Sequence, residues 1–419
     1  MTLLGRGKTV SCMSSRSLRL IVVAALATSP LSAQDINRTT AIDDLPRPGY
    51  EPRTIRTNGF VIMPMIQTGI RFDNNILASD LNKRSDTIFL IEPSIEARRE
   101  TGDSNLRTRA YASLSRYGKN SRENTSEFGA YLQYRKDVSQ KQSVFTKLAY
   151  DRTFERRGDP EANFASARRP ALIDMTSAEL EYGHNGPRVG IVATLGVTKL
   201  NYLSVEDADR DMVTYRAAVK GSVNLSQRIA VFIQPFANRR VPRLNRDRFG
   251  VNRTTTTYGA TTGVALQVAD RLTGEVGVGL FHADPKDLNL RPFDGLAANG
   301  RVTWRPRTRT AVIFNLFRGD VATIRSGALG RIDSRFDLNI DQEARHNLIL
   351  RGSLGIRNIH YRGGFDQDQR YFDVGVSARY LANRHMWIEP AANHSRRNSA
   401  NASEDFHKWR VALKMGFIY

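Results

Sequence analysis

The last eleven residues of this chain, from Trp409 to Tyr419, alternate without a break. Trp409, Val411, Leu413, Met415, Phe417 and Tyr419 hold every second position, and Arg410, Ala412, Lys414, Gly416 and Ile418 stand between them. A period of two places the first set on one face of a β-strand and the second on the other. Eleven residues also match the length of one tilted strand crossing a bilayer, with one face toward lipid and the other toward a wet interior.

The same period runs through the chain from Gly59 onward. Phe89, Ile91, Ile95 and Ala97 oppose Glu92, Ser94, Glu96 and Arg98. Phe128, Ala130, Leu132 and Tyr134 oppose Gln133 and Arg135, and Ile332, Phe336, Leu338 and Ile340 oppose Arg335, Asp337, Asn339 and Asp341. The connections alternate as well. Short polar turns fall near residues 100–104, 138–141, 185–187, 226–228, 269–271, 306–308, 344–346 and 382–385. Longer loops fall near 73–86, 118–125, 155–173, 203–211, 239–253, 284–293, 318–330, 362–369 and 396–404. Nine loops and eight turns join about 18 strands. The predicted fold is therefore all-β: a transmembrane antiparallel barrel with short periplasmic turns, long external loops and both ends in the periplasm. Sixteen strands would also fit, because the strands around 284–330 are the hardest to delimit. A β-helix or propeller needs a fixed sequence repeat, and none is visible.

At 40% apolar residues the chain looks like a soluble protein, yet a membrane barrel is equally polar because only half of each strand meets lipid. After the N-terminus no stretch of 18 apolar residues occurs, which excludes helical spans. Residues 1–33 read as a secretory signal: Arg16 and Arg19 precede the apolar run 20–27, and Pro30-Leu31-Ser32-Ala33 precedes a cut before Gln34. The sole cysteine, Cys12, leaves with this segment, which excludes disulfide scaffolds and cysteine metal sites. Residues 34–58, with Pro46, Pro48 and Pro52, are expected to form a periplasmic arm, and 59–419 the barrel. Losing Arg6, Lys8, Arg16 and Arg19 takes four charges from the formal +20 and leaves about +16. Behind a secretory signal the expected anions are lipopolysaccharide phosphates or an acidic polymer rather than nucleic acid.

A barrel of ~16–18 strands encloses a water-filled channel. The alternation assigns Arg107, Arg109, Arg135, Arg216, Arg301, Arg305, Arg335, Asp337, Arg351, Arg379 and Lys414 to its lining, with Glu92, Glu96, Glu179, Glu181, Glu275, Asp341 and Glu389 as further acids. Mixed charges of this kind brace a barrel wall, while the arginine surplus would favour anions. Arg239, Arg240, Arg243, Arg246 and Arg248 crowd one external loop, suited to docking on lipopolysaccharide phosphates. The longest loop, 155–173, is the best candidate to fold inward as a constriction. Nothing points to catalysis, a cofactor or a metal: the seven histidines are scattered, and neither H-E-x-x-H nor G-x-S-x-G occurs. Arg318-Gly319-Asp320 matches an adhesion tripeptide.

Two resemblances add to this. The aromatic ending, with Trp409, Phe417 and Tyr419, resembles the signature by which outer-membrane barrels of Gram-negative bacteria are recognised for insertion by the assembly machinery. The opening strand and loop, Gly59-Phe60-Val61-Ile62-Met63-Pro64 and then Arg71-Phe72-Asp73-Asn74-Asn75-Ile76, resemble the start of the putative β-barrel porin 2 family. That resemblance implies an outer-membrane, porin-like channel in contact with lipid and lipopolysaccharide. It also implies a role as the exit pore for an exopolysaccharide beside a periplasmic polysaccharide-export partner. The alternative is a non-conducting structural or adhesion barrel. Asp73, Asn74 and Asn75 are expected to cap a tight turn at the rim.

Overall fold

The computed structural model describes residue 42 and residues 45–162, 168–268, 271–323, 325, 328–363 and 368–419; residues 1–33, read as a signal, lie outside this set, as do 34–41, 43 and 44 of the arm. A three-residue strand, β1 (Ile55–Thr57), pairs with β2 through a turn at Asn58 and Gly59, both at positive φ. Eighteen long strands follow: β2 (Phe60–Asp73), β3 (Asp86–Glu100), β4 (Ser104–Tyr117), β5 (Thr125–Asp137), β6 (Gln142–Phe154) and β7 (Leu172–Asn185). Next come β8 (Val189–Tyr202), β9 (Met212–Asn224), β10 (Ile229–Pro242), β11 (Thr255–Val268), β12 (Leu272–Pro285) and β13 (Phe293–Arg307). The last six are β14 (Thr310–Val321), β15 (Ala328–Arg345), β16 (Leu348–Gly363), β17 (Asp368–Leu381), β18 (Met386–Ser399) and β19 (Phe406–Ile418). Every strand pairs antiparallel with its sequence neighbour, and β19 returns to β2, from Arg410↔Asp73 to Ile418↔Met65. The ring is closed with 18 strands, so no edge is left to satisfy.

Alternation then divides the side chains. Ile66, Ile70 and Phe72, Phe89, Ile91 and Ile95, and Trp409, Val411, Leu413 and Met415 are exposed although apolar. They share the outer face, where hydrocarbon covers them. Exposed aromatics form two belts. Phe72, Phe89, Phe128, Tyr215, Tyr258, Phe372 and Trp409 lie near the loop ends of their strands, and Tyr134, Tyr182, Trp304, Tyr380, Phe417 and Tyr419 near the turn ends. From Trp409 to Phe417 is eight rises, about 27 Å along the strand and roughly 20 Å along the normal at a tilt of ~40°. That is close to the aliphatic band between two aromatic girdles.

One part of the wall departs from the simple cylinder. β13 pairs with β14 only as far as Ala298↔Arg318, whereas β12–β13 pairing runs on to Ala283↔Phe293 and β14–β15 pairing to Val321↔Arg331. Above Arg318 the β14–β15 pair leaves the wall and bends across the lumen. Ile332, which alternation assigns to the lipid face, is instead buried against Phe281, Ala283 and Ala297, with Phe236 and Phe293 packed on the same cluster. The Arg318-Gly319-Asp320 tripeptide lies in β14 at this bend, and the Asp320 side chain is buried inside the barrel.

Aromatic rings fill the space left by inward glycines. Phe232 lies over Gly263 and Gly277, Phe236 over Gly259, and Trp387 over Gly416. The arm enters the turn-side mouth: Ile42 is buried against Ala311 and Ile349, and Arg47 pairs with Glu343 at 3.3 Å.

Candidate functional site

The inner face is polar and held by ion pairs that cross from strand to strand. Glu96 on β3 accepts from Arg107 at 2.9 Å and from Arg98. Lys414 on β19 donates to Glu92 at 2.9 Å, and Lys220 on β9 reaches Glu275 on β12 at 2.9 Å. Arg379 and Arg351 converge on the Glu389 carboxylate at 2.5 and 3.3 Å, with the Arg379 guanidinium 4.1 Å from the Trp387 ring centre. Arg109 lies 5.9 Å from the Tyr111 ring, Arg135 donates to Asp137 at 3.1 Å, and Arg216 donates to Thr198 at 3.3 Å. Arg301 stands opposite Glu275 in the β12–β13 ladder, and Arg305 lies near the turn end of β13. Arg335 and Asp337 share the β15 face of Asp333, which binds Arg357 and Arg331. These groups occupy several separate networks around the wall and are not gathered into one ring.

Residues 155–162 cross the lumen. They are anchored at their base by the buried Arg210–Glu155 pair. On the far side Glu161 accepts from Arg331 at 2.7 Å, Thr323 at 3.1 Å and the Tyr361 hydroxyl at 3.3 Å. The Gly158 carbonyl accepts from Arg397 at 3.3 Å. Around this crossing Ala78, Ala328, Ile359, Tyr361, Tyr371 and Phe406 form a buried cluster, so the loop-side half of the barrel is packed. Asp159 is enclosed here: burial pushes its carboxyl above the usual range, partly offset by Arg156 and by Arg357 and Lys408 on the facing strands.

The loop arginines make specific pairs. Arg239 and Arg240 belong to β10 rather than to the loop, and Arg240 turns inward to Asp320. Arg243 meets Asp211 at 3.2 Å, Arg248 donates to Asp209 at 2.6 Å, and Arg246 donates to the Gly250 carbonyl at 2.5 Å. The Arg248 bond holds Asp209 below the usual carboxylate range. These pairs tie neighbouring loops together, while the Arg243, Arg246 and Arg248 side chains stay exposed. At the rim, Asn75 is fully buried, its N–H donating to Asp73 at 2.9 Å and its side chain to the His407 carbonyl at 3.1 Å. The Asn74 side chain accepts from the Trp409 N–H at 2.7 Å, one step beyond the last β19–β2 rung, so this motif locks the closing seam.

Beside the bent β14 a cavity of about 140 Å³ remains. Arg216, Gln234, Asn299, Arg318 and Asp320 line it with Phe236. Uncharged residues such as Gln234 and Asn299 carry no sequence signal that separates them from any other polar lumen position. Among the described residues no cluster of His, Cys, Asp and Glu is placed to hold a metal ion.

A closed ring of 18 strands with a lipid-covered outside, two aromatic belts and a charged inside defines a porin-like outer-membrane barrel. The profile of the putative β-barrel porin 2 family matches residues 47–417, and the chain belongs to that family. No curated protein matches it by sequence. Among solved structures it is similar to the FrpB iron transporter from Neisseria meningitidis, at 12% identity and a TM-score of 0.44, over 80% of this chain and 62% of that one. It is also similar to the outer-membrane protein OpdK from Pseudomonas aeruginosa, at 10% identity and 0.47, over 85% and 98% of the two chains. For a BenF-like porin from Pseudomonas fluorescens Pf-5 the identity is 9% and the TM-score 0.45, over 86% and 99%. This chain thus spans about 62% of the length of the FrpB chain.

Proposed function

We propose that this barrel is a passive channel for small hydrophilic solutes, with anions favoured. The observation that carries the reading is the cavity left between the β7–β13 wall and the inward bend of β14, where Arg216, Arg318 and Asp320 stand among Phe236, Phe281 and Phe317. The passage is narrow, because residues 155–162 reach across the lumen to β15 and β16. The surplus of lumenal arginine supplies the preference for anions. Recordings of the purified barrel in planar bilayers test this: discrete conductance steps are expected, with a reversal potential shifted toward that of chloride in a KCl gradient. A silent barrel rejects the channel, and a shift toward potassium rejects the selectivity.

The same crossing favours one competing reading, a non-conducting barrel, in which the Glu161–Arg331 pair is a permanent brace. Exit of an exopolysaccharide is a larger demand on the same lumen. It requires residues 155–162 and the β14–β15 end to withdraw, and it gives the arm at the turn-side mouth a role in meeting a periplasmic export partner. Deleting residues 34–58 would then stop secretion while leaving barrel assembly intact.

A further inference from the structure

The β13–β14 ladder ends at Ala298↔Arg318, yet β13 continues with β12 as its ladder partner as far as Ala283↔Phe293. Residues 293–297 therefore face a seam from which β14 has turned away. The last rung is also the rim of the cavity: Ala298 and Arg318 both line it, with Ala297 and Gly319 beside them. On the outer face Leu296 is 59% exposed. Tyr258, His282 and Asp294 stand in one row of the ladders on that same face. Leu296 lies two residues beyond Asp294, about 7 Å along the strand toward the membrane centre. Tyr258 belongs to the loop-side aromatic belt, so Leu296 is on the hydrocarbon side of that belt. The end of the wall pairing, the rim of the cavity and the outer leaflet thus meet at one place.

We infer that this seam is a lateral portal between the outer leaflet and the cavity, and that the cavity takes a neutral one-ring aromatic solute arriving from the membrane. This goes beyond the axial channel and does not depend on it. The axial way from outside is narrowed by residues 155–162 and by the packed cluster around Tyr361 and Tyr371. At the seam, among the described residues, no strand pairs with β13 above Ala298 on the β14 side. A solute that comes through hydrocarbon must be uncharged, because a charge there is costly. Phe236, Phe281 and Phe317 line the cavity, with Ala218, Ala297 and Ala298 leaving room among them. Such rings favour edge-on or offset contact with another ring. The charged groups nearest the seam are already engaged: Asp320 accepts from Thr257 at 2.6 Å and from Arg240, and Arg318 donates to Ser334. Glu179 and Arg216 stand on β7 and β9, across the cavity from the seam. The volume of about 140 Å³ is close to that of an apolar cavity of ~150 Å³ that holds benzene.

The test is thiol labelling. Cys12 is the only cysteine of the chain, so the barrel has none and one introduced thiol reports access. Ala218→Cys places it on the cavity wall, and Gln133→Cys, on the inner face of β5, is the reference. In phospholipid vesicles N-phenylmaleimide, a neutral one-ring aromatic that the bilayer carries, should label Ala218→Cys. Ala298→Trp, which adds bulk at the last rung, should slow that labelling at least tenfold and leave the rate at Gln133→Cys unchanged. Leu296→Trp supplies the same comparison should Ala298→Trp not assemble. Toluene should protect Ala218→Cys, and benzoate and D-glucose should not. Labelling indifferent to both tryptophan variants overturns the portal. Protection by benzoate or glucose and not by toluene overturns the ligand class, and an unlabelled Ala218→Cys overturns both. Conductance in planar bilayers is read separately: a silent barrel that keeps the toluene protection and the portal dependence rejects the channel alone. Conductance steps with no portal dependence reject the portal alone.

Discussion

At the scale of single residues, the lumen is governed by the cost of burying charge. Arg331 is fully buried, and Glu161 and Asp333 both meet it. Removing one partner from such a group leaves an uncompensated buried charge, which typically costs about 3–5 kcal/mol. Asp159 sits in the same crossing, with no ion pair among the described residues, and burial raises its carboxyl pKa, with Arg156 opposing. The sign follows from linkage. A carboxyl raised by docking contributes stability to the docked loop that is present at low pH and is lost as pH rises through the raised value. Acidification from neutrality toward the ordinary carboxylate range, about 4, should therefore tighten the 155–162 crossing and reduce conductance. Asp159→Asn should flatten that dependence by mimicking the protonated form. Current recorded from pH 7.5 down to pH 4.5 checks both; a current that rises in acid contradicts the assignment.

At the scale of elements, much of what was legible in the sequence came from the period of two. Eighteen strands and their alternating short and long connections follow from residues such as Phe128, Leu132 and Tyr134 set against Gln133 and Arg135. The strand ends were less legible. Arg239 and Arg240 look like loop residues, yet both lie in β10: Arg239 is exposed on the outer face opposite Tyr215, and Arg240 faces inward onto Asp320. The bend of β14 carries no local mark at all. It is set by partners three and four strands away, Thr257 and Arg240 on Asp320 and the aromatic cluster around Ile332. Glycine spacing is another matter of fit between elements. A Cβ on Gly416 would stand 2.1 Å from the Trp387 ring. Gly416→Val should displace that indole from its place between β18 and Arg379, and overpacking of this kind costs about 1–3 kcal/mol. The urea midpoint of the refolded barrel measures it, and an unchanged midpoint would show that the indole has room to move.

At the scale of the whole molecule, closure is the organising fact. Every long strand has two neighbours, so the backbone groups at membrane depth are satisfied within the ring. The seam between β19 and β2 is locked at one end by Asn74 and Asn75, and at the other Phe417 pairs opposite Ile66. Truncating residues 417–419 removes rungs of that seam together with the aromatics of the turn-side belt. The full chain should migrate as a compact, heat-modifiable band in SDS gels, and the truncated chain should lose that band. A truncated chain that keeps it would place the closing energy elsewhere in the ring.

The sequence by itself determined that this chain alternates, that one face of each strand is greasy, and that a ring of about 18 such strands divides lipid from a charged interior. Those properties are local, since each strand's faces are fixed by side-chain parity alone. Only the tertiary structure decided what fills the ring. The crossing of residues 155–162, the inward bend of β14, the arm at Ile42 and the cavity beside Gln234 all depend on contacts between residues far apart in the chain. Parity can say that a side chain points inward, but what it meets there is set by the closure of the ring and by the segments that fold into it.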